Sequence, residues 1–500
     1  VSGAERQVFA AVDIGASSGR VILGRLEGQG VELETVHRFP NGAQPIGGAL
    51  RWDIHGIFDQ VLTGLAAAGE RARRNGERIA SIGIDTWAVD YGLVEADGSL
   101  AQVPYSYRDG RGEAQVERVH ALIDPARLYA TTGLQYLPFN TIYQLAAEPD
   151  LAGKQALLIP DLLAFWLTGQ RRTEETNAST TGLFDAAAGE WAPELLAPLG
   201  LPQDLFAPLV GPGETIGTLL PEIIRRTGLP AGTPVVAVGS HDTASAVAAV
   251  PARTADFAYI SSGTWSLVGV ELHAPVLTEA SRLANFTNER GVDGTIRYLR
   301  NVGGLWLLQE CLRTWAGESH APEGHPAGLE DLLDAAARLP AGGPLIDPDA
   351  SGFIAPGGMP GRIRDAVEAA GGTLGAEPAA VVRCILDSLA AGYARTLAEA
   401  VQLSGQPVGT VHIVGGGSQN ALLCQLTADA TGLPVVAGPV EATAQGNILV
   451  QARAAGAVAG GLAELRRLTA RSQPTTTYRP RSEWQEPGAA AQPATAGGKP

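Results

Sequence analysis

The stretch VFAAVDIGASSGRVILGRL, residues 8–26, runs from an apolar segment into Asp13, through a Gly/Ser turn, and straight into a second apolar segment. Arg20-Val21-Ile22-Leu23 after the turn is β-branched and apolar, which favours strand over helix. A Walker-type phosphate loop leaves its glycines into a helix and closes on G-K-[ST], whereas Lys154 and Lys499, the two lysines of the chain, follow no such turn. The stretch therefore reads as a β-hairpin with the tip Gly15-Ala16-Ser17-Ser18-Gly19. Such a tip offers backbone N–H groups and hydroxyls to phosphate oxygens. Asp13 at the strand end then faces the same anion, which a carboxylate tolerates when Mg²⁺ lies between. An ordinary turn accounts for the same residues, because Gly and Ser are common turn formers.

A second copy of the plan stands at FAYISSGTWSLVGVEL, residues 257–272, where Ser261-Ser262-Gly263 echoes Ser17-Ser18-Gly19. Self-similarity on this scale reads as two related domains, each bringing one phosphate-binding tip to a cleft between them. Two hairpins facing one triphosphate resemble the actin-like fold of sugar kinases and heat-shock chaperone ATPases. The expected fold class is α/β, with two actin-like, ribonuclease H-like domains on a duplicated β-hairpin core.

Five hundred residues exceed what one hydrophobic core usually organises. The expected division is an N-terminal domain at 1–250 with a capping insertion at about 95–230, a C-terminal domain at 251–471, and a disordered tail at 472–500. Apolar residues make up 45% of the chain, yet no run of apolar residues is long enough for a membrane span. Ser2, Glu5, Arg6 and Gln7 precede the first strand without the pattern of a signal peptide, so a cytoplasmic location is expected. A formal charge of −16 argues against a nucleic-acid partner and serves solubility. Cys311, Cys384 and Cys424 lack C-x-x-C spacing and read as reduced, buried thiols. The histidines form no H-E-x-x-H pair, which leaves any metal to oxygen ligands.

Along the chain, VELETVHRF (31–39) alternates as a strand and the segment 57–76 is an amphipathic helix ended by Gly76. The strand IASIGID (79–85) delivers Asp85-Thr86-Trp87-Ala88-Val89-Asp90, at the end of the strand where open α/β sheets hold ligands. A capped turn with Trp87 in the core is the alternative. TPVVAVG (233–239) leads to Ser240-His241-Asp242-Thr243; Asp242 suits a helix N-cap, and equally a base placed just before the second hairpin. A helix is expected from about Leu305 to Trp315, a loop over 339–361, and a long helix stopped by Gly405. TVHIV (410–414) runs into Gly415-Gly416-Gly417, which lets backbone approach a flat ligand or serves as a flexible connector.

Together DIGASSGR, DTWAVDYGL, SHDTASAVAAVP, YISSGTWSLVG, NFTNERGVDGTIRYLRNVGGLWLLQE and HIVGGGSQN resemble the FGGY carbohydrate kinases, over nearly everything from Phe9 to about residue 460. The resemblance implies ATP-dependent phosphorylation of L-rhamnulose at its C1 hydroxyl. A kinase for fuculose, xylulose or ribulose is the nearest alternative, and an ATP-gated binding protein without a small-molecule acceptor is the alternative from another class. By the resemblance, Asp242 takes the proton from the attacking hydroxyl and Asp13 holds Mg²⁺ through water. Ala16, Ser17, Ser18, Gly19, Arg20 and Thr264 cradle the phosphates of ATP, while Gln309 and Gly416 contact the nucleotide. Ala88, His241, Asp242, Thr243 and Asn301 contact the sugar. Gln309 and Asn301 also suit a helix surface and a helix cap. The expected partners are a ketose and ATP, with no nucleic acid and no membrane. One position departs from the pattern Asp-Thr-Trp-Gly-Val-Asp: this chain has Ala88 where the glycine lies against the sugar.

Overall fold

The computed structural model describes residues 6–28, 30–318, 328–355 and 357–481. By their contacts the residues form two units, one of Val1–Ala255, Val270–Arg300 and Glu441–Pro474, the other of Asp256–Gly269, Asn301–Val440 and Thr475–Pro500. The first unit thus takes in two segments from beyond the expected 1–250.

One sheet holds β1 (Arg6–Ile14), β2 (Ser18–Glu27), β3 (Gly30–Pro40), β4 (Glu77–Thr86), β5 (Thr215–Thr218) and β6 (Pro234–Val236), in the order β5-β6-β4-β1-β2-β3. A second holds β7 (Phe257–Ser262), β8 (Trp265–Leu272), β9 (Thr287–Arg290), β10 (Ile296–Gly303), β11 (Thr410–Val414), β12 (Val435–Ala437) and β13 (Thr476–Tyr478), in the order β9-β10-β8-β7-β11-β12-β13. The duplication is plain in the centre of each sheet. β1 stands between its hairpin partner β2 and the parallel strand β4, and β7 stands between its hairpin partner β8 and the parallel strand β11.

The helices that matter to the site are α1 (Ile54–Arg74), α2 (Asp242–Ala248), α3 (Trp306–Glu318), α4 (Pro378–Ser404), α5 (Ala421–Thr431), α6 (Ala442–Ala454) and α7 (Leu462–Ser472). Asp53 caps α1 by accepting from the Gly56 N–H, and Arg71, Arg73 and Arg74 sit in its last turn, where the helix dipole favours cations. α1 lies so close to the sheet that a Cβ on Gly64 would come 2.3 Å from Val21 Cγ2. The other face of the sheet is covered by α6: Ile448 and Leu449 join Phe9, Ala11 and Ile22 in one core, while Val8, Ala10, Val12 and Ile14 belong to the core under α1. β1 is therefore buried on both faces, which is why it reads as an uninterrupted apolar run. This packing of α6 is also what draws Glu441–Pro474 into the first unit. Gln451 fastens it, donating from Nε2 to Ala10 O at 3.0 Å and accepting from Ser81 Oγ at 2.7 Å.

The expected tail needs correction. Thr476–Tyr478 forms β13, antiparallel to β12, and Arg481 Nε donates to Asp429 Oδ2 at 2.9 Å. β-branched Thr476 and Thr477 suit an added edge strand, a preference outweighed in the sequence reading by the Pro- and Gly-rich composition further on. Residues 482–500 of the expected tail lie outside the described residues. The expected loop over 339–361 is shorter than its composition implied, since the helix Met359–Ala369 begins inside it. The cysteines are buried and free, as expected. Among the described residues no helix is long and apolar enough to cross a membrane.

Candidate active site

In the first hairpin Ile14 pairs with Gly19 and Asp13 with Arg20, so Ser18 and Gly19 already belong to β2 and the tip is Gly15-Ala16-Ser17. Gly15 N–H donates to Ser18 O at 2.9 Å, and Asn41 braces the tip from outside, with its side-chain amide on Gly15 O at 2.8 Å and its N–H on Ser17 O at 3.1 Å. Gly19 is needed for packing: a Cβ there would meet the Phe39 ring at 2.2 Å. Ser17 and Ser18 are exposed and Ala16 half-buried. The second tip is one residue shorter, closed by Gly263 N–H on Trp265 O at 2.9 Å. Gly263 therefore corresponds to Gly15, and the echo between Ser17-Ser18-Gly19 and Ser261-Ser262-Gly263 is one of composition only: Ser17 and Ser18 lie at the end of their turn and the start of the following strand, whereas Ser261 and Ser262 precede theirs.

Asp13 is buried and takes both Arg20 Nε at 2.9 Å and Nη2 at 2.8 Å on its Oδ2. Arg20 also pairs with Glu441. Across the sheet Asp13 is the register partner of Asp85, whose Oδ2 accepts from the Asn447 amide while its buried Oδ1 has no hydrogen-bond partner. Burial pushes the Asp85 carboxyl well above the usual carboxylate range, and the charge of Asp13 adds to it. Asp242 is raised as well, by burial first and by Asp13, against the opposing pull of His241. Three carboxylates thus crowd together within the first unit. Among the described residues no group of three or more His, Cys, Asp or Glu is placed to ligate a metal ion directly, so a Mg²⁺, which takes oxygen ligands and keeps several waters, would meet Asp13 through water.

Asp242 is the first residue of α2, with His241 in the cap position and no side-chain capping bond, so the N-cap reading of Asp242 does not hold. Thr243 Oγ1 donates to Asp242 Oδ1 at 3.2 Å. The segment is anchored from below by a residue that sequence reasoning missed. Glu174, buried in the insertion, accepts from Ser240 N–H at 3.0 Å and Ser240 Oγ at 2.7 Å, and Thr86 N–H donates to Ser240 O at 2.9 Å. Glu289 and Arg297, equally buried, stand against the His241 ring. Both belonged to the quoted motif NFTNERGVDGTIRYLRNVGG, and that motif was the one signal that could have found them.

Ala88 follows β4 and is half-buried, next to Val89 in the left-handed region at φ 68°. A β-branched residue there is strained. Its carbonyl is held by Thr141 Oγ1 at 2.7 Å, and the next residue is held harder: Asp90 accepts from Trp52 Nε1 at 2.6 Å, Trp87 Nε1 at 3.0 Å, Tyr107 N–H at 3.1 Å and Gln144 Nε2 at 3.0 Å. Trp87 packs in the core, in keeping with the core reading of that residue.

The remaining expected residues lie in the second unit. Thr264, half-buried, forms the second tip, and Gly304 lies under it so closely that a Cβ would meet Thr264 O at 2.5 Å. Gly417 packs on Ser262 in the same way, with a Cβ 2.0 Å from Ser262 Oγ, whereas Gly416 is exposed with open space around it. The triglycine is therefore a packed turn into α5, capped by Asn420 Oδ1 on Leu423 N–H at 3.0 Å, and no flexible connector. Gln309 is exposed on α3. Asn301 lies in β10, which excludes the helix-cap reading.

Residues 8–249 match the model of the N-terminal domain, and residues 258–455 that of the C-terminal domain, of the FGGY family of carbohydrate kinases. The chain belongs to that family. It is an ATP-dependent carbohydrate kinase. A rhamnulokinase of Bacteroides thetaiotaomicron is 44% identical to this FGGY kinase over 484 residues, covering 95% of this chain and 96% of the relative. A rhamnulokinase of Bacillus subtilis is 37% identical over 477 residues, covering 95% and 96%. Among solved structures, a gluconate kinase from Lactobacillus acidophilus matches with TM-score 0.76 at 17% identity, over 95% of this chain and 94% of that one. The glycerol kinase of Plasmodium falciparum with ADP matches with TM-score 0.76 at 17% identity, over 96% and 95%. These two share the fold of the FGGY kinase.

Proposed function

We propose that this FGGY kinase transfers the γ-phosphoryl group of ATP to the C1 hydroxyl of L-rhamnulose. The observation that carries the reading is that rhamnulokinases match it over 95% of its length at 37–44% identity. The site chemistry agrees. Phosphoryl transfer through a loose transition state asks the protein for alignment and charge stabilisation. The tip Gly15-Ala16-Ser17 with Ser18, Gly19 and Arg20 receives the phosphates, Arg20 being already oriented by Asp13 and Glu441. Mg²⁺, when bound near Asp13, supplies positive charge against the phosphate oxygens. Asp242 accepts the proton of the attacking hydroxyl, and His241, Thr243, Ala88 and Asn301 contact the sugar. Thr264, Gln309 and Gly416 serve the nucleotide. The site lies in a cytoplasmic enzyme of sugar breakdown on this reading.

Ala88 favours a second reading, a kinase for another ketose, because its methyl group stands where the family pattern has a glycine. Steady-state kcat/KM with ATP and a panel of L-rhamnulose, L-fuculose, L-xylulose and L-ribulose separates the two. The proposal requires L-rhamnulose to lead the panel by at least tenfold; a higher value for another ketose replaces it.

A further inference from the structure

Glu174 lies in the insertion, at the end of the short strand Thr173–Glu174 and in the cap position of the short helix Glu175–Ala178. Its side chain is buried. Two of its bonds are ordinary capping, with Oε1 accepting from Thr176 N–H at 2.9 Å and Oε2 from Asn177 N–H at 3.3 Å. Three more converge on Oε2, from Thr176 Oγ1 at 2.5 Å, Ser240 N–H at 3.0 Å and Ser240 Oγ at 2.7 Å. Thr176 Oγ1 in turn accepts from the His241 N–H at 3.3 Å. Glu174 and Thr176 thus grip two successive backbone N–H groups immediately before Asp242. From the other side, Thr86 at the end of β4 donates its N–H to Ser240 O at 2.9 Å.

We propose that Glu174 is a positioning residue for the base: it clamps the backbone of Ser240 and His241 and thereby sets where the Asp242 carboxylate meets the attacking hydroxyl. The inference rests on Asp242 being that base, as proposed above. Asp242 opens α2, and its carboxylate touches its own neighbours, with Thr243 Oγ1 donating to Oδ1 at 3.2 Å and His241 Nε2 3.6 Å away. Its place therefore follows from the backbone that leads into the helix. That backbone is closed on itself by Ser245 Oγ, which donates to Gly239 O at 2.7 Å, and Glu174 ties the closed segment to the insertion.

The shell around Glu174 calls for a charge. Three of its five donors are backbone N–H groups, which cannot accept, and an ionised carboxylate takes all five without offering a proton back. Hydrogen bonds to an ionised group are also the stronger kind, which suits a clamp on backbone. Burial raises the Glu174 carboxyl, and the bonds from Thr176 and Ser240 work against it. Asp161 is the other buried acid here. Its Oδ1 accepts from Glu174 N–H at 3.1 Å and its Oδ2 has no partner, while burial and the charge of Glu174 push its carboxyl well above the usual range. Of the two acids, Glu174 holds the charge. A cap on a helix of four residues has no use for Ser240, so the bonds to Ser240 are what assign Glu174 to the site.

A double-mutant cycle on the whole chain, at saturating ketose and ATP, tests this, because coupling to Asp242 is what a merely structural carboxylate would not show. Glu174→Gln turns an N–H donor toward other donors. Its kcat should fall about tenfold to a hundredfold, the cost of misplacing a catalytic group by about 1 Å, with KM for ATP unchanged. In Asp242→Asn, whose residual rate makes no use of the carboxylate, the same substitution should leave kcat where it was. An equal loss in both backgrounds, or a wild-type kcat in Glu174→Gln, overturns the proposal. Should Glu174→Gln not fold, Ser240→Ala takes its place, since it removes one bond to Oε2 and leaves the other four. It must show a smaller fall in kcat that again vanishes beside Asp242→Asn, and an unchanged kcat overturns the proposal. A near-normal kcat in Asp242→Asn alone refutes the base reading and takes this inference with it, whereas a different preferred ketose refutes the rhamnulose reading and leaves the cycle intact.

Discussion

Asp13 and Asp85 stand opposite each other at the ends of two parallel strands, the first held by the Arg20 guanidinium and the second by the Asn447 amide. One side of the pair is thus neutralised within the protein and the other is left with a buried, unpartnered oxygen. If the proposed roles hold, that asymmetry makes this corner of the first unit the place to probe the handling of charge during phosphoryl transfer.

Asp13→Asn removes the charge while keeping the shape. Arg20 retains Glu441 as a partner, so the fold is expected to survive. Losing a preorganised charge at a reacting phosphate costs ~10²- to 10³-fold in kcat, and the Mg²⁺ concentration for half-maximal rate should rise with it. A magnesium titration of both forms decides this; a variant with kcat within threefold of wild type and an unmoved titration has no role for Asp13.

Asp242→Asn should fold, bind ATP, and lose ~10²- to 10⁴-fold in kcat, because an amide cannot take the proton. The pH dependence carries its own sign. Burial and the charge of Asp13 raise the Asp242 carboxyl, and the base works only when ionised, so the acid limb of kcat/KM should lie above the ordinary carboxylate range and activity should fall as pH drops through it. An acid limb in the ordinary range, or near-normal kcat in the variant, would remove Asp242 from the role.

Much of this was legible in the chain because it is local. The two hairpins follow from apolar segments flanking Gly/Ser turns, and the positions of Asp13 and Asp85 near strand ends and of Ser240-His241-Asp242 after a strand follow from polar residues closing apolar runs. What could not be read depends on where distant segments meet. Nothing near Glu289 in sequence signals that its carboxylate meets a ring 48 positions earlier, and Glu174 reaches Ser240 across the insertion. The two tips differ by one residue in length, so matching serines by eye put Gly263 opposite Gly19 instead of Gly15. Val89 is β-branched and reads as strand; its left-handed backbone is imposed by Asp90 and Thr141.

Asp90 offers a stability test. Burial lifts its carboxyl to about 6 despite four N–H donors aimed at it. A carboxyl raised in the folded state holds its proton more tightly there than in the unfolded chain. Its contribution is therefore fully present below the unfolded value near 3.8 and is lost as pH rises through about 6. The gap is worth about 3 kcal/mol on an order-of-magnitude scale. Asp90→Asn does not titrate, so the wild-type Tm should fall relative to the variant's between pH 4.5 and 7. A difference in Tm that stays constant over that range contradicts the assignment.

On the proposed reading, Ala88 bears on substrate fit. Its methyl group sits beside a strained residue that four hydrogen-bond donors on Asp90 hold in place, so the turn has little freedom to yield. Overpacking a fitted site costs on the order of 1 to 3 kcal/mol, roughly a tenfold to hundredfold effect on binding. Ala88→Gly should therefore lower KM for L-rhamnulose and leave kcat nearly unchanged, since ground and transition states are relieved alike. A variant with unchanged KM shows that the methyl group does not touch the sugar.

If, as proposed, the chain phosphorylates L-rhamnulose on C1, the product itself is the most direct witness. L-Rhamnulose is incubated with ATP, Mg²⁺ and the enzyme, and the phosphorylated sugar is characterised by carbon NMR, in which phosphorus splits the carbon that bears it. Splitting of the C1 signal, absent when Asp242→Asn replaces the wild type, is the predicted result. Splitting at another carbon, or no phosphorylated rhamnulose while another ketose in the same reaction is converted, would contradict it.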